Sequence, residues 1–197
     1  LNGKKIGVQS GTTGENWVQT NLKDIRLSSF KTGIDAALDL KNGAIDAVVL
    51  DELPAKEIVA RNPSLKIIDV DLTTEAYAIA VKKGTTVLLN SINKTIATMR
   101  SNGDYEKLVN SFMPIEGDII IPETIGIKSG KKVKLGTNAA FPPFEYVNGK
   151  DIVGFDITMG QYIAKDFNAE LEVIDMAFDS LIPGLASGII DFIAAGM

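Results

Sequence analysis

One short sequence pattern occurs twice in this chain, and it restricts the possible folds more than any other feature. In both copies a helix-like segment ends at a glycine, and an apolar residue, an aspartate and a short apolar run follow. Aligning Gly43 with Gly188 also matches Asp46 with Asp191. Short and nearly continuous apolar runs are typical of buried parallel strands. The pattern predicts an α/β chain, built either from ordinary α/β units that all look alike or from two similar lobes.

The first 73 residues predict a parallel sheet with helices on its faces. The predicted elements are bounded by glycine, asparagine and proline, and the helices have an apolar face. Strands are predicted at 4–9, 44–51 and 65–71, and helices from Thr12 or Thr13, at 33–43 and at 53–63. This βαβαβ order implies right-handed crossovers between parallel strands.

The remaining residues predict two helices, a linker and a second α/β region. A strand at 75–85 precedes helices at 88–100 and 104–113, the second of them capped by Asp104. Residues 115–132 have no clear period and predict a linker. Strands are then predicted at 132–138, 170–176 and 189–196, with a loop at 139–149, a helix capped by Asp156 and a helix at 179–188.

The composition excludes several classes of function. The net charge of −5 argues against a nucleic-acid partner, because phosphate binding needs a basic face. The chain has neither cysteine nor histidine, which removes Ser-His-Asp chemistry, Cys-His chemistry and imidazole metal sites. A catalytic site would therefore have to use carboxylates, lysine or hydroxyl groups alone. We predict that the chain is no enzyme and has no catalytic residue, no metal and no cofactor.

Several segments resemble a known protein family. The stretch KVKLGTNAAFPPFEYVNGKDIVGFDI resembles the opening of a polar amino-acid solute-binding protein of ABC importers, family 3, and FDSLIPGLASGIIDFIAAGM resembles its continuation. The stretches LNGKKIGVQSGTTGE, GAIDAVVLDELPA and YAIAVKKGTTVLLNSINKTIATMRSNGDYEKLVNSF resemble its second lobe and C-terminal helices. The resemblance implies a periplasmic-binding-protein-like type II fold, with two lobes that each contain a mainly parallel sheet flanked by helices.

The order of these segments is inverted relative to the family. The resemblance assigns 1–73 to the second, small lobe and 74–114 to a strand and helices that return to the first lobe. Residues 115–132 are then a linker, and 133–197 are the N-terminal part of the first, large lobe. Either a circular permutation or a tandem protein explains this order. We expect the first lobe to be incomplete, and a domain-swapped or complementing chain is a possible partner.

The resemblance also implies a function and a location. It predicts an extracytoplasmic protein with an export signal, in the periplasm or lipid-anchored at the cell surface. Such a protein captures a free amino acid between its lobes, with glutamine or arginine favoured here, and delivers it to the membrane permease of an ABC importer. Two alternatives are a ligand-sensing domain of a receptor and a cyclohexadienyl-dehydratase-like enzyme. The enzyme would need a general acid, for which Glu15, Glu52 and Glu145 are the candidates.

Asp51 is the predicted partner of the ligand ammonium. It follows the apolar strand DAVVL, at the carboxyl end where ligands of open α/β sheets bind. In the family that the sequence resembles, the aspartate at the position of Asp51 pairs with the α-ammonium group of the ligand. The alternative is that Asp51 only caps the following helix.

The segment SGTTG is the predicted binding site for the ligand carboxylate. Gly11 offers a backbone N–H, the following helix start offers the positive end of its dipole, and Thr12 and Thr13 add hydroxyl donors. The alternative is a plain glycine turn with a helix cap.

The remaining predicted ligand-binding residues surround the ligand side chain. By resemblance, Asn138, Phe141 and Phe178 line the pocket, and aromatic faces stack well on arginine. Gln9 faces the distal end of the ligand, and Gly196 presents its backbone to it, since glycine allows close approach. The alternative for the two phenylalanines is packing in the core.

Overall fold

The structure is a computed structural model that describes residues 1–197, and the chain divides into two compact units. The first unit comprises 1–76 with the short segments 140–142 and 177–179, and the second unit comprises the remainder. The predicted α/β class is confirmed, because strands and helices alternate along most of the chain. None of the helices combines the length and the apolar composition that crossing a bilayer requires.

The first unit is a small parallel sheet with three helices. Its elements are β1 (Lys5–Gln9), α1 (Thr13–Asn21), β2 (Arg26–Phe30), α2 (Gly33–Lys41), β3 (Ala47–Val49) and α3 (Glu52–Ala60). The strand order is β2-β1-β3, and both pairings are parallel. The core forms where Ile6 and Val8 of the central strand meet Val18 of α1, with Trp17 packed against them. Burial of these apolar groups holds α1 on the sheet.

In the first unit one predicted strand is absent, and one observed strand was not predicted. Residues 65–71 form no strand, and their apolar side chains are largely exposed, as at Ile68 and Val70. Strand β2 was not predicted, because its serines gave the segment RLSSF no apolar run. It forms because β1 supplies a complete parallel partner, from Lys5 opposite Arg26 to Gln9 opposite Phe30. A partner distant in sequence therefore decided which segment joined the sheet.

The second unit contains a four-stranded sheet and the longer helices. In chain order, the elements from residue 77 onward are β4 (Ala80–Val81), α4 (Thr86–Asn102), α5 (Asp104–Phe112), β5 (Lys132–Thr137), β6 (Ala140–Phe141), β7 (Glu145–Asn148), β8 (Asp151–Val153), α6 (Phe155–Asp166), β9 (Glu170–Asp175), a 3₁₀ turn (Phe178–Ser180), α7 (Leu181–Ser187) and β10 (Phe192–Ile193). The sheet order is β4-β10-β5-β9, in which only β4 is antiparallel to its neighbour. Residues 114–131 form no helix or strand.

The repeated sequence pattern folds in the same way in both units. Helices α2 and α7 each end near a glycine with positive φ, 74° at Gly43 and 81° at Gly188. In each copy the aspartate side chain then accepts a hydrogen bond from the backbone of the neighbouring strand. Lys5 N–H donates to Asp46 Oδ2, and Lys134 N–H donates to Asp191 Oδ2, both at 2.8 Å. The two copies are therefore equivalent in local structure as well as in sequence.

The isoleucine of each copy packs over a glycine in the adjacent strand. A Cβ added to Gly7 would meet Ile45 Cδ1, and one added to Gly136 would meet Ile190 Cδ1, closer than real Cβ atoms come. Both isoleucines are buried, with 6% and 1% of their surface exposed. Because these glycines have no Cβ, each isoleucine can pack directly on the adjacent strand, close to the end of the preceding helix.

Two predicted helix caps were also wrong. Helix α6 has Gly154 as its N-cap, and Asp156 lies inside the first turn without a side-chain capping bond. Helix α5 has Gly103 as its N-cap, with φ of 84°, and Asp104 is its first residue. Glycines at tight turns set both helix starts, and the acidic side chains are left to make other contacts.

Gly154 brings a buried pair of acidic residues together. The β7–β8 hairpin turns the chain back, and Gly154, with φ of 139°, lies directly against the carbonyl of Phe144, where no Cβ fits. Asp156 N–H donates to Phe144 O at 2.9 Å. This close backbone contact positions Asp156, on α6, beside Glu145, on β7, and each carboxyl acts on the pKa of the other.

Both carboxyls have raised pKa values. Glu145 is fully buried, and burial, followed by the neighbouring charge of Asp156, raises its pKa well above the ordinary value. Asp156 is half-buried, and burial raises its pKa to about 6, although the N–H of Gly196 and the Glu145 side chain lower it. Neither oxygen of Glu145 meets hydrogen-bond geometry with any group, although Asp156 is near enough to influence it.

The Asp156 carboxyl should make stability depend on pH. Since its pKa is higher in the folded chain, its contribution is greatest at low pH and is lost as the pH rises from about 4 to about 6. The slope is at most about 1.4 kcal/mol per pH unit. In urea unfolding between those pH values, Asp156→Asn should lose stability less steeply than wild type. Asp151→Asn, on the same hairpin, is the matched charge control, and an Asp156→Asn slope as steep as that of wild type would contradict the assignment.

The contact between Gly136 and Ile190 should be measurable as overpacking. Gly136→Ala should lower the free energy of unfolding by about 1–3 kcal/mol, because the added methyl collides with Ile190 Cδ1. Gly126→Ala is the matched control, since a Cβ there meets nothing within 4 Å. Ile190→Val removes Cδ1, so urea unfolding should show part of the loss recovered in the double variant. Purely additive losses would contradict the steric explanation.

Candidate functional site

Four predicted site residues lie together where β1 ends and α1 begins. Thr12 is the N-cap of α1, and its hydroxyl accepts the N–H of Glu15 at 3.2 Å and donates to Gln9 O at 2.8 Å. Gln9 is buried, and its side-chain amide donates to Lys31 O at 3.2 Å. Gly11 has φ of 80°, which a residue other than glycine adopts only with strain. The segment is thus fixed by its own hydrogen bonds.

Two carboxylates of the chain itself occupy the donors that were predicted to bind a ligand carboxylate. Gly11 N–H donates to Glu15 Oε2 at 2.7 Å, and Ser29 Oγ donates to the other oxygen of Glu15. Thr13 Oγ1 donates to Glu75 Oε2 at 2.9 Å. The positive end of α1 favours such anions. An anion site is therefore present at this helix start, and in this structure it is satisfied internally.

The role of Glu15 could have been found from sequence. Thr12 and Glu15 have the T-x-x-E spacing of a capping box, in which the acidic side chain returns to a backbone N–H at the helix start. Here it reaches Gly11, one residue before the cap. The contact between Glu75 and Thr13 had no comparable sequence signal, because it depends on the path that residues 61–76 take to reach Thr13.

Asp51 lies immediately beyond β3, at the same sheet edge as Gln9 and Gly11. Strands β1 and β3 pair in parallel, with Val8 opposite Val49, so their carboxyl ends meet. Asp51 holds the N-cap position of α3, where its carbonyl accepts the N–H of Ala55, but its side chain makes no capping hydrogen bond. Capping therefore does not explain this aspartate, which is half-buried at the sheet edge.

The two predicted aromatic residues group with the first unit. Phe141, in β6, has only 8% of its surface exposed, so much of its ring is packed. Phe178 begins the 3₁₀ turn and is half-buried. The adjoining Asp179 accepts a hydrogen bond from Ser10 Oγ at 3.3 Å. Phe178 therefore keeps an accessible surface, whereas Phe141 contributes mainly to packing.

Asn138 and Gly196 lie in the second unit, after neighbouring strands. Asn138 follows β5 and is buried, and its side-chain amide donates to Met176 O at 2.9 Å. Gly196 follows β10 and has φ of 59°, and its N–H donates to Asp156 Oδ2 at 3.1 Å. The structure brings these two residues to one sheet edge, because β5 and β10 are parallel neighbours.

No three histidine, cysteine, aspartate or glutamate side chains form an arrangement that could hold a metal ion.

Of the acidic residues considered for general acid chemistry, Glu52 forms an exposed ion pair with Lys56. Glu15 accepts two hydrogen bonds and Glu145 is buried. Glu15, Glu52 and Glu145 therefore lie in three different environments.

The sequence matches proteins that bind amino acids outside the cytoplasm. Residues 133–197 match the family model described as bacterial extracellular solute-binding proteins, family 3. ABC transporter arginine-binding protein 1 of Escherichia coli strain K12 is 31% identical over 119 residues, which cover 58% of this chain and 49% of the relative. Arginine-binding extracellular protein ArtP of Bacillus subtilis strain 168 is 47% identical over 73 residues, 36% of this chain and 29% of the relative.

Further matches extend the range of ligands. Other curated relatives have names that state L-cystine or histidine as the ligand. Among solved structures, holo ArgBP from T. maritima is 46% identical and has a TM-score of 0.34, covering 36% of this chain and 32% of that chain. The chain spans about half the length, or less, of the curated relatives it matches.

The matched region reaches beyond the family model. A match over 58% of the chain is longer than the stretch 133–197, so similarity to the arginine-binding relative includes residues before 133. The suspected relationship to solute-binding proteins is confirmed by these sequence matches. The part of this chain that matches the family model of the bacterial extracellular solute-binding proteins, family 3, is residues 133–197.

Proposed function

We propose that this chain is the amino-acid-binding part of an extracytoplasmic solute-binding protein that serves an ABC importer. The observation that carries the proposal is the position of Asp51, two residues beyond β3 at the carboxyl edge of the parallel sheet. It shares a sheet edge with the α1 anion site, so a zwitterion can meet an acceptor for its ammonium and donors for its carboxylate. The family match of residues 133–197 supports the same assignment.

Arginine is the favoured ligand, with glutamine as the alternative. Carboxylates of Asp51, Glu15 and Asp179 belong to the first unit near the ends of its strands, and nearby anions attract a cationic side chain. The accessible surface of Phe178 suits stacking against a guanidinium group. Two of the most similar relatives are named for arginine.

The ligand contacts of the remaining predicted residues belong to this proposal. In the first unit Gln9, Gly11, Thr12 and Thr13 bind the ligand through their backbone and side-chain donors, beside Phe141 and Phe178. In the second unit Asn138 and Gly196 contribute an amide and a backbone surface. A ligand that binds one conformation of the chain more tightly than another shifts the population towards that conformation, and the difference between the two affinities limits the shift.

Location and partners follow from the same assignment. The relatives are named as extracellular or periplasmic binding proteins, which supports a place outside the cytoplasm. We propose delivery to a membrane permease, with the periplasm and a lipid-anchored position as the two options. The assignment of 1–73 and 133–197 to different lobes and their permuted order remain predictions. A complementing partner chain is a further prediction, which the mass of the protein in solution tests.

A binding role agrees better with the site than an enzymatic one. A general acid must reach the substrate, and Glu15, Glu52 and Glu145 are engaged, ion-paired or buried instead. The named relatives are binding proteins for arginine, cystine and histidine.

A thermal-shift screen of the twenty amino acids and cystine should identify the ligand. We expect arginine to raise the unfolding temperature most, because binding to the folded state alone stabilises it by mass action. Glutamine in first place would replace arginine in the proposal. Stabilisation by none of these compounds at millimolar concentration would reject a binding function for the chain.

Substitution of Asp51 should separate binding from folding. Asp51→Asn should weaken arginine binding by about 10- to 100-fold in isothermal titration calorimetry, since a hydrogen bond to a charged group contributes about 1.5–3 kcal/mol. Asp39→Asn, on α2, is the matched charge control and should bind as wild type. Equal affinities in all three proteins would remove Asp51 from the site.

A further inference from the structure

Three elements of the second unit meet at one small cluster of polar groups. Strand β7 contributes the carboxyl of Glu145, helix α6 contributes the carboxyl of Asp156, and the turn after β10 contributes the N–H of Gly196. The Gly196 N–H donates to Asp156 Oδ2 at 3.1 Å. Because Gly154 carries no Cβ, α6 begins close enough to β7 for the two carboxyls to become neighbours.

The cluster contains no cation. The groups that act on the Asp156 carboxyl are the Gly196 N–H and Glu145, and the charged group that acts on Glu145 is Asp156 alone. No lysine or arginine is among them. Two adjacent carboxyls in an enclosed site cannot both ionise at low cost, so one keeps its proton.

Glu145 is the group that keeps the proton. It is fully buried, both its oxygens lack hydrogen-bond partners, and burial raises its pKa well above the ordinary value. Asp156 is half-buried and accepts a backbone N–H, which favours its charged form. A protonated Glu145 is a hydrogen-bond donor, and the carboxyl beside it that can accept is Asp156.

We propose that Glu145 is a positioning residue for the ligand site, whose protonated carboxyl donates to Asp156 and so holds Asp156 as the anion that fixes the N–H of Gly196. This inference rests on the proposed function, in which Gly196 faces the ligand. Asp156 connects the start of α6 to the turn that follows β10. Glu145 acts through it and touches no ligand.

The main test is the amide resonance of Gly196, followed by NMR from pH 4.5 to 8 without ligand. In wild type the Gly196 proton should move downfield as Asp156 ionises, with a midpoint of about 6. Glu145→Gln keeps a neutral donor of similar shape, so its midpoint should stay within a few tenths of wild type. Glu145→Leu removes the donor, so its midpoint should rise by about one pH unit.

Arginine affinity at pH 6, at the expected midpoint of Asp156, supplies the second readout. Glu145→Gln should bind within about twofold of wild type, whereas Glu145→Leu should lose about fivefold or more, since Asp156 is then less ionised and Gly196 less fixed. Asp151→Asn is the control for an acidic residue of the same hairpin outside the cluster. A merely structural Glu145 would change stability without moving the Gly196 midpoint.

Three results would overturn the inference. One is a Gly196 resonance that does not titrate, and another is a Glu145→Leu midpoint equal to that of wild type. The third is a Glu145→Gln midpoint about one pH unit below wild type, which would mean that Glu145 is normally ionised. The titration needs no ligand, so its failure concerns this inference alone. A protein that titrates as described but binds no amino acid contradicts the proposed function instead.

Discussion

The close packing of an isoleucine onto a glycine of the adjacent strand is the contact on which both units depend. Ile45 lies over Gly7 and Ile190 over Gly136, and the adjoining aspartate accepts a backbone N–H of the same strand. Together these contacts fix the register in which a new strand joins its parallel neighbour. Since register also decides which residues reach the carboxyl edge, the candidate binding residues owe their positions to this contact.

Local sequence signals were sufficient for much of this architecture. Apolar periodicity and glycine stops located α2, α4 and α7, because a helix end is encoded within a few residues. Asp51 was placed just beyond a strand from the same kind of local signal, and its side chain makes no capping hydrogen bond to α3. Features that depend on distant partners were not predictable. Strand β2 exists because β1 pairs with it, and the segment around Ile68 finds no such partner.

Buried polar contacts were the other limit of sequence reasoning. Asp156 stands where a helix cap is expected, and nothing local indicates that it accepts the N–H of Gly196, 40 residues later. Glu145 was considered only as a possible general acid. Its burial results from the turn at Gly154, a glycine whose importance lies in the backbone of Phe144 that it touches. Such pairs are set by tertiary contacts, which a linear pattern does not contain.

The internal carboxylates at α1 constrain how a zwitterion can bind under the proposed function. A ligand carboxylate that replaces Glu75 at Thr13 exchanges one charge-assisted hydrogen bond for another, so the net gain from that step is small. Glu15 holds Gly11 N–H and Ser29 together and is more costly to displace. Most of the binding free energy must then come from the ammonium and the side chain. An acidic strand edge beside an accessible aromatic ring favours those two groups, which is why the proposed function names a cationic amino acid as the ligand.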